Sequence, residues 1–211
     1  MVAIHPIIQG IHTAETRGEQ VFLPNHTSAV TLLQADSTNI LVDVGGRGTM
    51  GRITQGLSAH GLTPDDIHLI ILTHLHLDHC YNVAFFTQAQ VYAWNHDWTP
   101  SGTLRFNTIE TAPLPSGIQI IKTPGHMLEH LTVLVTTDNG ERVALVGDSF
   151  NEHYMRTDEI NNFCADEPAY RKSADWVLSI ADRVIPGHGP VFDVIKPTES
   201  RRQTIAPPLE Q

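Results

Sequence analysis

Four potential metal ligands follow one apolar stretch, and this motif constrains the chain more than any other. Residues 69–72 form an apolar run typical of a buried strand, and His74, His76, Asp78 and His79 follow it within a few positions. Imidazole and carboxylate are ligands that zinc prefers, with iron and manganese as near competitors. Alternate residues of a strand point to one side, so His74 and His76 can face one cavity. The motif therefore predicts a metal site.

Three later side chains stand where other apolar runs meet turns. His126 follows a Thr-Pro-Gly turn, His188 follows an Ile-Pro-Gly turn, and Asp148 ends the apolar stretch over residues 143–147. Sites are usually built on loops that a rigid scaffold holds in place. These three residues are therefore further candidate ligands. The chain has 13 histidines among 211 residues, and the sequence assigns no role to five of them: His5, His12, His60, His68 and His96.

Together these residues resemble the metallo-β-lactamase superfamily. Leu41-Val42-Asp43-Val44-Gly45 is similar to that family's first motif, and the later motifs follow in order over roughly residues 25–192. The resemblance implies an α/β (α+β) fold, an αββα sandwich of two mixed β-sheets flanked by helices. The compact length of the chain and its Pro-Gly-His-Gly-Pro segment are also similar to the small group that contains metallo-β-lactamase domain-containing protein 1. We expect one domain over residues 1–196, and a proline-containing, weakly apolar, extended tail over 197–211.

The resemblance also implies a ligand set for two divalent ions, with zinc favoured and iron or manganese as alternatives. The first ion would be held by His74, His76 and His126. The second would be held by Asp78, His79 and His188. Asp148 would bridge the two ions, which makes Asp78 and Asp148 the expected catalytic carboxylates. Asp43 would accept a hydrogen bond that orients a ligand histidine or a nearby loop.

Several residues near these motifs are candidates for contact with a substrate. They are Trp98, Phe150, His153 and Tyr154, each of which has ordinary packing or surface exposure as its alternative. His130 lies four residues beyond His126 and could donate a hydrogen bond or a proton. Cys80 follows His79, so its thiol either lines the pocket or is a buried structural group.

Three functions remain open on these grounds. The first is a dinuclear metal-dependent hydrolase, in which a metal-bridging hydroxide attacks a small ester, thioester or lactone. The second is a phosphodiesterase or ribonuclease of the same fold, because members of the similar group have been linked to RNA cleavage. The third is a mononuclear iron dioxygenase of sulfur substrates, which shares the fold and uses part of the ligand set.

Composition bears on the partners. A net charge of −10 disfavours a general nucleic-acid binder, which would usually carry a basic face. No run of 18 or more apolar residues is present, so we expect no membrane span, and the absence of a signal-peptide pattern favours the cytoplasm. We expect a small-molecule substrate and leave a homo-oligomer open.

The coarse pattern of apolar residues predicts the order of the elements. Strands are expected over residues 30–33, 40–44, 69–72, 89–94, 103–107, 118–122, 131–136, 143–146 and 183–185, and helices over 48–60, 78–86 and 168–181. Gly46-x-Gly48-x-x-Gly51 also fits a dinucleotide-binding turn. We prefer a turn and close helix packing for these glycines, because the next strand begins the metal motif.

Overall fold

Two β-sheets form the centre of the molecule. The computed structural model describes residues 1–106, 109, 112–161 and 163–195. One sheet has seven strands in the order β1 (Val2–Ile8), β4 (Val30–Ala35), β5 (Thr38–Val42), β6 (Leu69–Ile71), β7 (Gln90–Ala93), β8 (His96–Trp98) and β9 (Leu104–Phe106). The other has five in the order β10 (Ile118–Lys122), β11 (Leu131–Thr136), β12 (Arg142–Gly147), β13 (Arg183–Pro186) and β14 (Phe192–Asp193). A separate hairpin joins β2 (Glu15–Arg17) to β3 (Gln20–Phe22).

The central strands β6 and β12 bury both of their faces. In β12, Val143 and Leu145 face the other sheet, whereas Ala144 and Val146 pack in a different apolar cluster on the outer face. The sequence of such a strand is continuously apolar, because successive side chains alternate between two buried faces. The same holds for β6, where Ile70 points away from the cluster between the sheets.

Helices cover the two outer faces. The helix α1 (Met50–Ser58) places Ile53 and Leu57 against the seven-stranded sheet. The five-stranded sheet is covered by α4 (Glu167–Ile180), which buries Tyr170 and Val177. Helix, two sheets and helix form four layers, and the expected αββα sandwich is confirmed.

The sequence did not predict β1. This strand lies at the edge of its sheet, contains Pro6, and changes register between Pro6 and Ile8. Proline has no N–H to donate to a neighbouring strand. It is tolerated at a sheet edge because one side of an edge strand has no neighbour. The pattern of the segment is therefore weak, although pairing with β4 fixes it in the tertiary structure.

The predicted helix over residues 78–86 was wrong in extent. The structure has a short helix, α2 (Leu77–Cys80), followed by a 3-10 turn at Val83–Phe85. The side-chain amide of Asn82 lies between them and donates to the carbonyl oxygens of Val44 at 2.8 Å and Gly46 at 2.9 Å. Asn82 thus fastens the loop after β5 to the segment that carries the metal motif.

Parts of the predicted organisation fall outside the described residues. These are residue 107 at the end of the strand predicted over 103–107, residue 196, and the tail over 197–211, so the domain boundary stays a prediction. Within the described residues, no helix has the length and apolar character that crossing a membrane requires.

Candidate metal centre

The candidate ligands lie where strands of both sheets end. His74 and His76 follow β6, Asp148 follows β12, and His188 follows β13. β5 runs parallel to β6, and β12 runs parallel to β13. The carboxyl ends of parallel strands meet at one edge, which is where α/β sheets usually bind ligands. The backbone N–H of Leu131 donates to the carbonyl of Thr73 at 2.7 Å and joins the sheets beside the site.

A first ligand group contains three histidines and one carboxylate. His76 Nδ1 lies 3.0 Å from His74 Nε2 and 3.1 Å from His126 Nε2. Asp148 Oδ2 lies 3.5 Å from His126 Nε2, and one ligand atom from each of the four residues lies within 4.8 Å of the others. The structure therefore brings together residues that are far apart in the sequence.

A second group lies next to the first. His188 Nε2 lies 3.2 Å from Asp78 Oδ2, and His79 Nε2 lies 3.5 Å from the same oxygen. Ligand atoms of these three residues also fall within 4.8 Å of one another. The two groups match the two sets that the resemblance implies.

Asp148 contacts both groups. Its Oδ1 lies 3.3 Å from His79 Nε2, and its Oδ2 lies 3.5 Å from both His188 Nε2 and His126 Nε2. The carboxylate therefore stands where a bridge between two ions is expected. Its role as a bridging ligand, like those of the other candidate ligands, stays a prediction.

Hydrogen bonds behind the ligands fix their ring orientations. His79 Nδ1 donates to Asp43 Oδ2 at 2.8 Å, and His126 Nδ1 donates to the carbonyl of Phe163 at 2.6 Å. Each bond keeps a proton on Nδ1 and aims Nε2 at the site, where Nε2 can bind an ion once it is unprotonated, as second-layer partners of metal-binding histidines commonly arrange. Asp43 also accepts from the N–H and the hydroxyl of Thr73, each at 2.8 Å. The expected orienting role of Asp43 is seen directly.

The geometry and the unsatisfied atoms both fit divalent ions. Zinc–nitrogen bonds of about 2.0–2.1 Å place tetrahedral ligand atoms roughly 3.3 Å apart, close to the spacings of 3.0–3.5 Å across the site. Within the described part of the chain, Asp78 Oδ2, His79 Nε2 and His188 Nε2 are buried and make no hydrogen bond. Buried polar atoms are rarely left unsatisfied. A cation would satisfy these three.

The electrostatics of the site favour positive charge. Burial raises the pKa of Asp78, but the nearby rings of His188 and His79 lower it to about 2. Burial likewise raises the pKa of Asp148, and His79 and His188 hold it well below its ordinary range. Burial lowers the pKa of His188, but the neighbouring carboxylates of Asp148 and Asp78 raise it to about 9. The carboxylates thus stay ionised, and protons and metal ions compete for the histidines.

This competition predicts opposite effects of pH on the metal-free and metal-loaded protein. The pKa of His188 in the folded protein, about 9, lies above the ordinary histidine value of 6.5. Its protonation stabilises the metal-free fold fully below pH 6.5, and that stability is lost as the pH rises towards 9. A metal needs the unprotonated ring, so its apparent affinity rises over the same window.

The measurement is the melting temperature from pH 6 to 9.5, with chelator and with zinc. We expect the chelated protein to lose stability as the pH rises, while the zinc-dependent increase in melting temperature grows. The variant His188→Asn should lose part of both slopes. A chelated wild type whose melting temperature rises steadily across this range would contradict the assignment.

The two groups open into a cavity of about 560 Å³. Its apolar wall consists of Ile11, Leu23, Phe150, Phe163 and Pro186, and its uncharged polar wall includes Gln9, Thr13, Asn151 and Asn161. Among the described residues that line it, none is lysine or arginine. The charge in the cavity therefore comes from the candidate ligands themselves.

The predicted substrate contacts divide into one residue at the cavity and three away from it. Phe150 lines the cavity. Tyr154 does not, because its ring is buried under α4 and its hydroxyl donates to Asp175 at 3.0 Å. Its neighbour His153 lies on the exposed side of the helix α3 (Glu152–Thr157), 3.4 Å from Glu159. Trp98 lies half-exposed on β8, outside the cavity lining.

His130 lies behind the site and not in the cavity, which corrects its assignment as a proton donor. The ring is fully buried, and its Nε2 accepts from the backbone N–H of Asp148 at 3.3 Å. Burial, with a contribution from His126, lowers its pKa to about 3. A neutral ring that accepts through Nε2 has no proton to give there. His130 instead supports the loop that carries Asp148.

The thiol of Cys80 is also placed away from the cavity. Its sulfur lies 3.6 Å from the carbonyl of Leu75, and the side chain packs against the apolar cluster under α1. Burial raises its pKa. The structure therefore supports a packing role for Cys80 and not a place in the pocket. Cys80 and Cys164 are both free thiols.

Sequence reasoning missed several residues at the cavity. His12 and His26 lie beside His188, and Phe163 lies against His126. His12 stood among the histidines without a role, and His26 carried no motif. Neither residue belongs to a periodic pattern, because both lie in loops that only the tertiary fold brings to the site.

Comparison with known proteins agrees with this geometry. The family model of the metallo-beta-lactamase superfamily matches residues 23–99, which include Asp43 and the motif from His74 to His79. The mouse protein named metallo-beta-lactamase domain-containing protein 1 is 35% identical over 176 residues, which is 81% of this chain and 67% of that protein. Its rat counterpart is 36% identical over 162 residues, or 74% of this chain. The chain spans 64% of the rat protein's length.

A solved structure shares the fold. A protein of Thermotoga maritima named as a candidate metallo-beta-lactamase superposes with a TM-score of 0.71 at 22% identity. The match covers 91% of this chain and 99% of that one. The fold, the order of the motifs and the similarity to the mammalian proteins lead to one conclusion. This chain belongs to the metallo-beta-lactamase superfamily.

Proposed function

We propose that the protein is a dinuclear metal-dependent hydrolase that cleaves a small, uncharged ester, thioester or lactone. One observation supports this most directly: two complete ligand groups meet at Asp148 on the floor of one cavity. Zinc is the ion that the imidazole-rich ligand set favours, with iron and manganese as alternatives.

The protein residues would hold and orient the reacting groups. Bound divalent ions would supply Lewis acidity and lower the pKa of a water molecule. His74, His76 and His126 would hold one ion, while Asp78, His79 and His188 would hold the other. Asp43 and the carbonyl of Phe163 keep the ligand rings in one orientation, so little reorganisation is needed.

The cavity wall supports an uncharged substrate with an apolar part. Phosphodiester and nucleic-acid substrates are usually held by lysine or arginine, and among the described lining residues neither type occurs. The exposed side chains of Phe163 and Leu23 offer apolar surface to an acyl or aryl group, while Asn151 and Asn161 can donate hydrogen bonds. A small neutral carbonyl compound therefore suits this cavity better than a nucleotide.

Metal analysis followed by a substrate panel tests the proposal. Protein purified without chelator is assayed for metal by elemental analysis, then with aryl and alkyl esters, thioesters, lactones and bis-aryl phosphodiesters. We expect about two ions per chain and hydrolysis of carbonyl substrates at least tenfold faster than of phosphodiesters. One iron per chain with oxygen uptake would identify a dioxygenase. Faster cleavage of nucleotides than of lactones would favour the phosphodiesterase.

A further inference from the structure

We propose that His12, His26 and His188 form an outer metal site at the cavity mouth, which takes a further transition-metal ion such as zinc. One ring nitrogen from each residue lies within 4.8 Å of the others. His12 and His26 belong to neither inner ligand group. The outer site therefore borders the second inner group: it shares His188 with that group, and His26 Nε2 lies 3.2 Å from Asp78 Oδ2.

Backbone contacts hold the three loops of this outer site in fixed positions. Ile11 and Thr27 exchange two hydrogen bonds at 2.8 and 3.2 Å, which sets His12 beside His26. The N–H of Ala29 donates to Gly187 at 2.7 Å, and the N–H of Gly189 donates to Gly10 at 3.1 Å. These bonds tie both loops to the turn that carries His188. The loops are therefore held together before an ion binds, and the stacked rings of His26 and His188 must turn to direct their in-plane lone pairs at one ion.

The three rings lie close together. The rings of His26 and His188 stack with centroids 4.6 Å apart and an angle of 17° between their planes. The His12 ring lies 5.0 Å from His26 and 5.5 Å from His188. The Nδ1 atoms of His26 and His188 are buried and, within the described residues, have no hydrogen-bond partner. An ion that bound either nitrogen would satisfy a polar atom that is otherwise left without one.

The donor set determines which ion binds and how tightly. Three imidazoles suit zinc, copper and nickel, and they bind calcium and magnesium poorly because those ions prefer oxygen. His12 is exposed, which leaves the outer site open to solvent on one side. The group contains no carboxylate to balance the charge of the ion. We therefore expect weaker binding than at the inner groups, which contain Asp78 and Asp148.

The shared histidine connects the outer site to the inner centre. His188 Nε2 lies 3.2 Å from Asp78 Oδ2 in the second inner group, and the ring also stacks on His26. A neutral imidazole has only one unprotonated nitrogen, so an outer ion on His188 Nδ1 would leave Nε2 protonated and unable to bind the second inner ion. Excess zinc should then weaken the inner centre and reduce any activity that depends on it.

Zinc binding to the full chain, measured by equilibrium dialysis, tests the outer site. The wild type is compared with His12→Asn and with the control His60→Asn. His60 pairs with His5, whose ring lies 4.2 Å away, and neither residue lines the cavity. We expect the wild type to bind zinc at a class of low-affinity sites in addition to the tightly bound inner ions. H12N should bind zinc at these low-affinity sites at least tenfold more weakly, and H60N should bind zinc as the wild type does.

A second readout follows the competition for His188. Hydrolysis of an aryl ester is measured with increasing zinc, and each variant is normalised to its own rate without added zinc. We expect excess zinc to inhibit the wild type and H60N, and H12N to need at least tenfold more zinc for the same inhibition. Equal weak binding in H12N and wild type would overturn the outer site. If no variant hydrolyses any substrate, the proposed function fails, while the zinc count still decides the outer site.

Discussion

Replacing Asp148 with asparagine should remove most of the bound metal and nearly all activity. The carboxylate lies within 3.5 Å of nitrogens from His79, His126 and His188, so it contacts both ligand groups. Asparagine keeps the size but removes the negative charge that offsets two cations. We expect kcat/KM to fall by roughly 10³-fold or more, which corresponds to about 4 kcal/mol.

Metal content and activity should be measured on the same preparation of Asp148→Asn. Asp138→Asn is a matched control, because Asp138 is an exposed carboxylate far from the cavity lining. We expect the control to keep its metal and its rate. An Asp148→Asn protein that retained two ions and wild-type activity would show that Asp148 is not a bridging ligand of the two ions.

Gly187→Ala should impair the metal centre although it removes no ligand. A Cβ atom at this position would lie 2.1 Å from Asp148 Oδ1 and 2.9 Å from the carbonyl carbon of Gly147. One neighbour is a carboxylate that must stay in place, and the other is backbone, so neither can move without cost. We expect metal affinity to fall by roughly 10–100-fold, as for the loss of a residue that orients metal ligands.

The control for this substitution is Gly51→Ala. Gly51 lies in α1, and a Cβ atom there would meet nothing within 4 Å. Alanine in a helix is more favourable than glycine by about 0.5–1 kcal/mol, so this variant should be slightly more stable and bind metal normally. Competition of each variant with a zinc chelator measures the affinity. Equal affinities for the two variants would contradict the close packing of Gly187 on Asp148.

The candidate ligands could be found from the sequence because metal chemistry restricts residue types strongly. His74, His76, Asp78 and His79 stand in one short motif, and the resemblance supplied His126, Asp148 and His188 in order. Strands buried on both faces gave continuous apolar runs, which is why β6 and β12 were located closely. The edge strand β1 was missed, because Pro6 and pairing on one side weaken its pattern.

Candidate substrate contacts were much less predictable. Tyr154 follows Asp148 closely in sequence, but its helix turns the ring towards α4 and away from the cavity. His130 lies near His126 in sequence, yet it is buried behind Asp148 and supports a loop. Distance along the chain does not say which way a side chain points. The direction depends on packing with elements that are remote in sequence.

The sequence by itself located the main strands and the His-rich motif, because apolar runs and ligand residue types are local properties, and its resemblance to the superfamily implied the fold class and the full set of candidate ligands. The tertiary structure alone decided the walls of the cavity and the contacts of Asp148. It also brought His12 and His26 to His188, through backbone bonds between Ile11 and Thr27 and between Ala29 and Gly187. Those contacts join segments far apart along the chain. They form only when two sheets pack and their loops meet at one edge.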